Sequence, residues 1–283
     1  MKGLISGIKR MEIHDGDGLR TTVFFKGCPL KCIWCHNPES ILFEKQVAFF
    51  KEKCISCNIC KGKRTSETVK SCPTEALVEY GNEYEDDSLV KELIKDKMFF
   101  DKSGGGVTLS GGECLAQPEF AIAIAKKLYE NKISVYIDTC GFVNRDALKN
   151  IIPYADIFLY DIKAIDPEVH KRCTGYDNSV ILNNLRFLSE NNCKIEIRYP
   201  LVMGYNDREC DKIGKFLMNL KGITKGITKV KVLQYHNFAA SRYKALNMAN
   251  TLPDTKTTCE DVQCAVDILK KYNLDVVNGI MDD

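Results

Sequence analysis

The sequence predicts an α/β fold built around a mainly parallel sheet. From about residue 104 onward, short apolar runs bounded by Gly, Asp or Asn alternate with longer segments. In the longer segments apolar residues recur at helical spacing, as in Leu182, Leu185 and Leu188. Strand alternating with helix is typical of parallel sheets joined by crossover units. A chain of 283 residues, 45% of them hydrophobic, can bury the core that such a fold needs.

Six core strands are predicted, each a short apolar run that ends in polar or glycine residues. They cover residues 21–27, 106–110, 134–138, 156–161, 194–199 and 228–234. Helical segments such as QPEFAIAIAKKLYENK and NSVILNNLRFLSENN lie between them. Six strands are too few for a closed eight-stranded barrel. The pattern therefore fits either a partial barrel or a doubly wound sheet.

A Cys- and Lys-rich segment at residues 45–85 interrupts the alternation and shows little apolar periodicity. We predict that it is a small insertion ordered mainly by bound metal. The main domain then consists of residues 1–44 and 86–283. It resumes with the helical segment DDSLVKELIKDKMFFDKSG, for which Asp86 or Asp87 is a suitable N-cap.

The composition excludes several classes of protein. The 40 Lys and Arg residues and 38 Asp and Glu residues give a net charge of +2, and no basic stripe suggests binding to nucleic acid. The N-terminus lacks the apolar region of a signal peptide, and no apolar run is long enough to span a bilayer. We therefore expect a cytoplasmic protein that does not bind membranes. In a reducing compartment, closely spaced cysteines favour metal over disulfides.

Three cysteines lie within eight residues, in the segment GCPLKCIWCHNPES. Cys28, Cys32 and Cys35 have the spacing C-x3-C-x2-C. Thiolates hold zinc or iron–sulfur clusters. A zinc site would need His36 as a fourth ligand, but adjacent residues such as Cys35 and His36 rarely bind one ion. A four-iron cluster held by three cysteines would instead leave one iron open to a ligand, as a catalytic zinc site leaves one position open.

The longer segment DGDGLRTTVFFKGCPLKCIWCHNPES resembles the first part of the glycyl-radical-enzyme activating enzymes, such as pyruvate formate-lyase activating enzyme, in the radical S-adenosylmethionine (SAM) superfamily. The resemblance implies a partial (β/α)6 TIM-like barrel. It also implies an enzyme that reductively cleaves SAM on a [4Fe–4S] cluster to a 5′-deoxyadenosyl radical, which abstracts a hydrogen atom from a backbone glycine of a partner glycyl radical enzyme. Asp17 replaces the proline usual in the family motif D-G-P-G-x-R, which we expect to affect only the stiffness of the loop.

The resemblance also implies the residues that contact the cofactors. Cys28, Cys32 and Cys35 would hold the cluster, and no side chain need act as an acid or base. The implied SAM-binding residues are Trp34, Cys35, His36, Gly111, Gly112, Glu113, Asp161, Ile162, Lys163, Arg198 and His236. A monovalent cation is implied near Asp138, Thr139 and Asp161.

The order of the strands supports this assignment in physical terms. Most of these residues follow predicted strands, and the carboxyl ends of parallel strands line a common site. Lys163 would suit the SAM carboxylate as a point charge, and the glycines of the G-G-E turn allow close backbone approach. Each residue also has a structural alternative: Trp34 as core, Asp138 or Thr139 as a helix cap, and the glycines as an ordinary loop.

A second cysteine set lies in the insertion. Cys54, Cys57 and Cys60 have the spacing C-x2-C-x2-C, and Cys72 precedes a proline. Bacterial ferredoxins use a similar run with a shorter gap before the last cysteine. We predict one auxiliary [4Fe–4S] cluster, which four protein ligands close to substrate, in an electron-relay or structural role. A zinc ribbon is the alternative.

The resemblance extends to partners. It implies a glycyl radical enzyme as the protein substrate and a flavodoxin or ferredoxin as the electron donor, and we expect the chain to act as a monomer. Two other functions remain open at this point. One is a radical SAM enzyme that acts on a small molecule, and the other is a non-catalytic iron–sulfur or zinc protein. Neither the electron carrier nor the zinc module accounts for the G-G-E and D-I-K motifs together with the strand-end residues.

Overall fold

The computed structural model describes residues 1–223 and 226–279. Its strands are β1 (Lys2–Glu12), β2 (Arg20–Phe25), β3 (Gln46–Phe49), β4 (Leu77–Tyr80), β5 (Asn82–Glu85), β6 (Gly106–Gly111), β7 (Ser134–Thr139), β8 (Ile157–Asp161), β9 (Ile195–Leu201), β10 (Ile227–Gln234) and β11 (Val276–Gly279). Its α-helices are α1 (Ser66–Lys70), α2 (Asp86–Ile94), α3 (Lys97–Ser103), α4 (Pro118–Glu130), α5 (Arg145–Ile151), α6 (Pro167–Thr174), α7 (Ser179–Glu190), α8 (Cys210–Ile223), α9 (Ala240–Ala245) and α10 (Cys259–Lys270).

The large sheet of the described chain has the spatial order β11-β10-β9-β8-β7-β6-β2-β1-β5. One part of this sheet, made of β2, β6, β7, β8, β9, β10 and β11, is parallel throughout and follows chain order without reversal. A doubly wound sheet reverses its order at a switch point, so this order is that of a barrel. No pairing joins β11 to β5 within the described residues, and the barrel is partial.

All six predicted core strands are present, with bounds shifted by at most two residues. The sequence pattern did not predict β1, β3, β4, β5 or β11. β1 is antiparallel to β2 and β5, whereas β11 adds one more parallel strand beside β10. The short, half-exposed β11 lacks the continuous apolar run by which the inner strands are recognised.

The helices cover the sheet with their apolar faces. In α4 the buried residues Phe120, Ala121, Ile124 and Leu128 recur every three or four positions, as expected for one face of a helix. Pro118 occupies the first turn, where its missing N–H costs no hydrogen bond. No helix of the described chain is both long and apolar enough to cross a membrane.

The expected N-cap of α2 is wrong. Glu85 occupies the cap position without a side-chain hydrogen bond, and Asp86 and Asp87 lie in the first turn. The Asp86 carboxylate is instead held by the Met1 amino group at 2.7 Å and by Lys127 Nζ at 2.8 Å. An acidic residue in the first turn still complements the positive end of the helix dipole.

Within the predicted insertion, β3 and β4 form a separate antiparallel pair. The following strand, β5, pairs with β1 and so belongs to the large sheet. The hairpin of β3 and β4 packs on α9, where Ala48 lies in a small apolar cluster with Ala245 and Leu246. The described insertion thus rests on an element from the C-terminal part of the chain.

The D-G-D-G-L-R loop is tied to the barrel through Arg20, whose side chain is fully buried. Its Nε donates to Thr108 Oγ1 at 2.8 Å, and its guanidinium lies 3.6 Å from the centre of the Tyr136 ring. The Tyr136 hydroxyl donates to Asp17 Oδ2 at 3.0 Å. Asp17 therefore does more than alter loop stiffness, because its carboxylate anchors the loop to β7.

Candidate functional site

The first cysteine set lies on a loop that begins immediately after β2. Gly27 turns the chain with a φ of +100°, a conformation that favours glycine. The N–H groups of Gly27 and Cys28 donate to the carbonyls of Ser40 and Ile41, at 2.8 and 2.9 Å. On its other side, the N–H of Ile33 donates to the Cys173 carbonyl of α6 at 3.0 Å. Backbone bonds on both sides thus fix the loop.

The three thiols lie in a poorly solvated environment. Burial raises the pKa of Cys32 well above its ordinary value and that of Cys35 to about 12. Cys28 differs, because a hydrogen bond with the thiol of Cys140 lowers its pKa. A buried thiolate needs a positive partner, which iron would provide. The donor set therefore fits a thiolate-bound cluster.

The geometry does not fit the zinc alternative at this loop. Within the described residues, no three His, Cys, Asp or Glu side chains converge on a single metal-ion position. His36 Nε2 lies 2.8 Å from the carbonyl oxygen of His236, so this nitrogen carries a hydrogen and is not available to a metal ion. Burial lowers the pKa of His36 to about 4, so its ring is neutral.

A stack of rings extends from the cysteine loop to the surface. The rings of His36 and His236 are 4.0 Å apart and nearly parallel, and Phe238 stacks on His236 at 4.3 Å. His236 Nδ1 is buried and has no hydrogen-bond partner in the described structure. Trp34, by contrast, packs in a small cluster with Val202 and Tyr235, which is the core role considered above.

The G-G-E turn fits tightly against the cysteine loop. A Cβ on Gly112 would lie 2.4 Å from the carbonyl oxygens of Gly27 and Ser40, and Gly111 has a φ of +114°. The N–H groups of Gly112 and Glu113 donate to Phe25 and Gly27 at 2.9 Å. The N–H groups of this turn are thus already used within the protein. The ammonium group of SAM donates hydrogen bonds, so it could be bound only by the backbone carbonyls of the turn.

The Glu113 side chain is already engaged within the protein. Its carboxylate accepts hydrogen bonds from Leu115 N at 3.1 Å, Thr139 Oγ1 at 3.0 Å and Cys140 N at 2.8 Å. Burial raises its pKa. Glu113 thus joins the G-G-E turn to the end of β7, and a direct contact between its carboxylate and SAM would require breaking these bonds.

The residues at the end of β7 and β8 form a charged group with Lys163. Lys163 Nζ lies 2.5 Å from Asp161 Oδ2; Asp161 is the last residue of β8, and Lys163 lies two residues beyond it. Burial alone would lower the pKa of Lys163, but Asp161 and the thiols of Cys32 and Cys140 outweigh it, and the pKa is raised. The side chain of Ile162 is core, so only its backbone could contact a ligand.

Arg198 is the second buried cation of the site. Its guanidinium lies 3.7 Å from Asp15, Asp138 and Glu196, and Nη2 donates to the His14 carbonyl at 3.1 Å. Its Nε is buried without a hydrogen-bond partner in the described structure. Burial raises the pKa of Asp138 to about 7, against the opposing effect of Arg198. Uncommitted buried donors such as this Nε fit a polar cofactor.

The predicted cation site is only partly assembled. Asp138 accepts from Ser110 Oγ at 2.6 Å, whereas Thr139 Oγ1 is already used by Glu113. The sequence did not predict that Asp15 and Glu196 lie beside Arg198, or that Cys140 lies beside Cys28. Glu196 could have been found, since it is two positions from Arg198 and residues i and i+2 of a strand share a face.

The second cysteine set lines a cavity of about 320 Å³. Cys54, Cys57, Cys60 and Cys72 all contribute to its wall. The loop that carries Cys54, Cys57 and Cys60 has an unusual backbone, because φ is positive at three non-glycine residues: Ser56, Asn58 and Lys61. The N–H of Ser56 donates to Cys54 Sγ at 3.4 Å.

A buried lysine joins this insertion to the first cysteine loop. Lys26 Nζ donates to the Glu39 carbonyl at 2.7 Å and to Gln46 Oε1 at 2.8 Å. Its stem lies under Gly81, where a Cβ would approach Lys26 Cδ to 2.7 Å. A second link runs through α9, since the Tyr243 hydroxyl donates to the Cys35 carbonyl at 3.2 Å.

Comparison with known proteins agrees with this geometry. Residues 22–217 match the model of the radical SAM superfamily. The chain is 41% identical to the trans-4-hydroxy-L-proline dehydratase activating enzyme of Clostridioides difficile, over 86% of this chain and 87% of that protein. It is 34% identical to the choline trimethylamine-lyase activating enzyme of Oleidesulfovibrio alaskensis, over 97% of both.

A solved structure is similar as well. It is a domain of pyruvate-formate lyase-activating enzyme from Bacteroides vulgatus, with a TM-score of 0.52 and 28% identity. The match covers 62% of this chain and 99% of that domain. The partial barrel is therefore shared with a protein of the same kind as the two sequence relatives.

Proposed function

The chain belongs to the radical SAM superfamily and, within it, to the activating enzymes of glycyl radical enzymes, and from that premise we propose the roles of its residues. A [4Fe–4S] cluster held by Cys28, Cys32 and Cys35 would leave one iron open to SAM. When bound, the two cofactors supply reductive cleavage of SAM to a 5′-deoxyadenosyl radical, which takes a hydrogen atom from a glycine of the partner. The observation that carries this proposal is three partly buried, free thiols on a loop fixed at the carboxyl end of β2.

The charged residues would hold the amino-acid part of SAM. Lys163 and Arg198 are buried cations that suit a carboxylate. The backbone carbonyls of the G-G-E turn suit the ammonium group of SAM, because the N–H groups of Gly112 and Glu113 already donate to other backbone carbonyls. Asp138, Thr139 and Asp161 remain the proposed neighbours of a monovalent cation.

The rings near Cys35 would hold the adenine part. His36, whose ring is neutral, and His236 stack on each other and would lie beside the adenine. The uncommitted His236 Nδ1 supplies a hydrogen-bonding atom. Trp34 supports this region from behind, through its contacts with Tyr235.

The partner is a glycyl radical enzyme. Transfer of a hydrogen atom requires proximity and orientation, so that no side chain needs to act as a general base. We propose that the partner's glycine loop reaches the site through the open side of the partial barrel, since β11 and β5 do not pair within the described chain. The identities with the two relatives make trans-4-hydroxy-L-proline dehydratase and choline trimethylamine-lyase the first partners to test.

The second cysteine set would hold one auxiliary [4Fe–4S] cluster, within an insertion that we place at residues 45–85. Residues with positive φ between ordinary ones turn successive N–H groups inward, a nest that favours anions and iron–sulfur sites. A zinc ribbon is disfavoured, because zinc needs four donors about 2.3 Å from one point. The described residues hold no such convergent group, and the four cysteines surround a cavity instead.

We further propose a flavodoxin or ferredoxin as the electron donor and a monomeric chain. A cytoplasmic location suits the cysteines, since all fourteen are free thiols in the structure and thiols persist in reducing compartments.

The test is anaerobic reconstitution with iron and sulfide, followed by SAM, dithionite and trans-4-hydroxy-L-proline dehydratase or choline trimethylamine-lyase. We expect methionine and 5′-deoxyadenosine to form, and a glycyl doublet to appear in the electron paramagnetic resonance spectrum of the true partner. Cys32→Ala should abolish SAM cleavage, whereas Cys259→Ala, at an exposed cysteine in α10, should not. Absence of SAM cleavage by the intact chain would refute the proposal.

The auxiliary cluster has its own test. Cys57→Ala should lower the iron content by about one four-iron cluster and leave SAM binding intact. Iron content equal to that of the unchanged chain would show that Cys57 is not a ligand.

A further inference from the structure

The insertion carries an uneven share of the charge. Between residues 51 and 72 the sequence has six basic residues and two acidic ones, so this segment carries +4. The whole chain carries +2, and the remainder is therefore net negative. We call the six exposed cations the basic rim; they are Lys51, Lys53, Lys61, Lys63, Arg64 and Lys70.

The cations of the basic rim lack carboxylate partners within the described chain, whereas several other basic residues have them. Lys127, Lys212 and Arg242 each form ion pairs of 2.6 to 2.9 Å with carboxylates. Within the described residues, no ion pair includes a member of the basic rim. The charge of this surface is therefore not neutralised locally and is available to an external anion.

Two members of the basic rim lie beside the auxiliary cysteines. Lys63 and Arg64 line the same cavity as the four cysteines, and the Arg64 guanidinium lies 4.8 Å from the centre of the Phe49 ring. Two large apolar side chains are exposed on the loop of the second cysteine set, Ile55 at 65% exposure and Ile59 at 54%. Exposed apolar side chains within a polar, charged border are the anatomy of a protein docking site.

We infer that the basic rim, with Ile55 and Ile59 at its centre, is the docking surface for a small acidic redox protein that donates the electron. This inference rests on the proposed function, since it assumes that the chain takes up one electron per SAM cleaved. The donor is oxidised by one electron, and the centre held by the four cysteines is reduced by the same electron. Complementary charge accelerates the encounter and makes it sensitive to salt.

The surface is also connected to the SAM site by packing. The hairpin that carries the insertion contacts α9 through Ala48 and Ala245, and α9 bonds to the Cys35 carbonyl through Tyr243. A donor bound at the basic rim would therefore sit on the element next to the first cysteine loop. A partner glycine loop, by contrast, must reach the SAM site itself.

The experiment reverses charge in two matched triple variants of the reconstituted enzyme. The rim variant carries Lys53→Glu, Lys61→Glu and Lys70→Glu, at exposed rim residues that do not line the cavity of the auxiliary cysteines. The control variant makes the same change in net charge at exposed lysines of the main domain, as Lys102→Glu, Lys126→Glu and Lys149→Glu. Binding of a reduced, acidic flavodoxin is measured at low and high salt, and SAM cleavage is measured with flavodoxin and, separately, with dithionite, which needs no docking surface.

We expect the rim variant to bind flavodoxin at least about tenfold more weakly at low salt, with a smaller salt dependence, and to cleave SAM at the unchanged rate with dithionite. The control variant should match the unchanged chain in all assays. Equal weakening in both variants, or none in either, would overturn the docking surface. Weakened binding of the glycyl radical enzyme in place of flavodoxin would overturn it too. Failure of SAM cleavage with dithionite in the unchanged chain would instead refute the proposed function.

Discussion

Gly112→Ala provides a direct test of how the G-G-E turn supports the cysteine loop. The new Cβ would lie 2.4 Å from two carbonyl oxygens, those of Gly27 and Ser40, and neither belongs to a flexible side chain. These carbonyls accept the hydrogen bonds from Glu113 N and Gly27 N that fix the start of the loop. To relieve the overlap, the backbone must move and both bonds must lengthen.

The expected cost follows from these contacts. Overpacking costs about 1–3 kcal/mol, and each weakened hydrogen bond adds up to about 1 kcal/mol. We therefore expect the free energy of unfolding to fall by about 1–5 kcal/mol. The displacement of Cys28 should also lower the iron retained at the first cysteine set. Urea denaturation and iron titration of the reconstituted chain measure the two effects.

Gly7→Ala is the matched control. Gly7 lies in β1, its φ is negative, and a Cβ there would meet no atom within 4 Å. The change should be neutral or slightly stabilising, with full iron content. If Gly112→Ala also retains its stability, iron content and SAM cleavage, then the close packing of the turn on the cysteine loop is not what holds that loop.

Three further predictions concern side chains that support the site. Burial lowers the pKa of Lys26 from 10.5 to about 8. The unfolded chain then binds this proton more tightly, so the free energy of unfolding should rise from about pH 8 to pH 10.5. Lys26→Met should abolish this rise in urea denaturation, and the same dependence of stability on pH in both chains would contradict the prediction. Tyr136→Phe removes the bond to Asp17 and should cost about 0.5–1.5 kcal/mol in thermal or urea unfolding, whereas the exposed Tyr129→Phe should cost nothing measurable. Glu113→Gln places an amide N–H₂ against Leu115 N or Cys140 N and should cost about 1–3 kcal/mol; unchanged stability would show that these bonds are dispensable.

Much of the fold could be predicted because its signals are local. Five inner strands, β2, β6, β7, β8 and β9, are mostly buried and stand out as apolar runs. The order of the six predicted strands along the chain matches their order in space. β11 and β5 could not be found in this way, since half-exposed edge strands have mixed composition. The cap of α2 was misassigned because the partner of Asp86 is the chain's own N-terminus, which no local pattern reveals.

The candidate site could be predicted only in part, for a related reason. Motif spacing identified the cysteines and the strand-end residues, but it did not show what each side chain contacts. Glu113 is engaged with Thr139 and Cys140, and Arg198 is balanced by Asp15 from a distant loop. Such long-range pairs depend on tertiary packing, and their positions in the sequence carry no common pattern.

The bonding of Lys26 has a consequence for shortening this chain. If residues 46–80 were replaced by a tight turn, Gln46 would be lost, and the Lys26 ammonium would lose one of its two hydrogen-bond acceptors in a dry interior. A compact version would therefore require a second change at residue 26, to an uncharged side chain. We therefore expect relatives that lack the insertion to carry an uncharged residue at the position of Lys26.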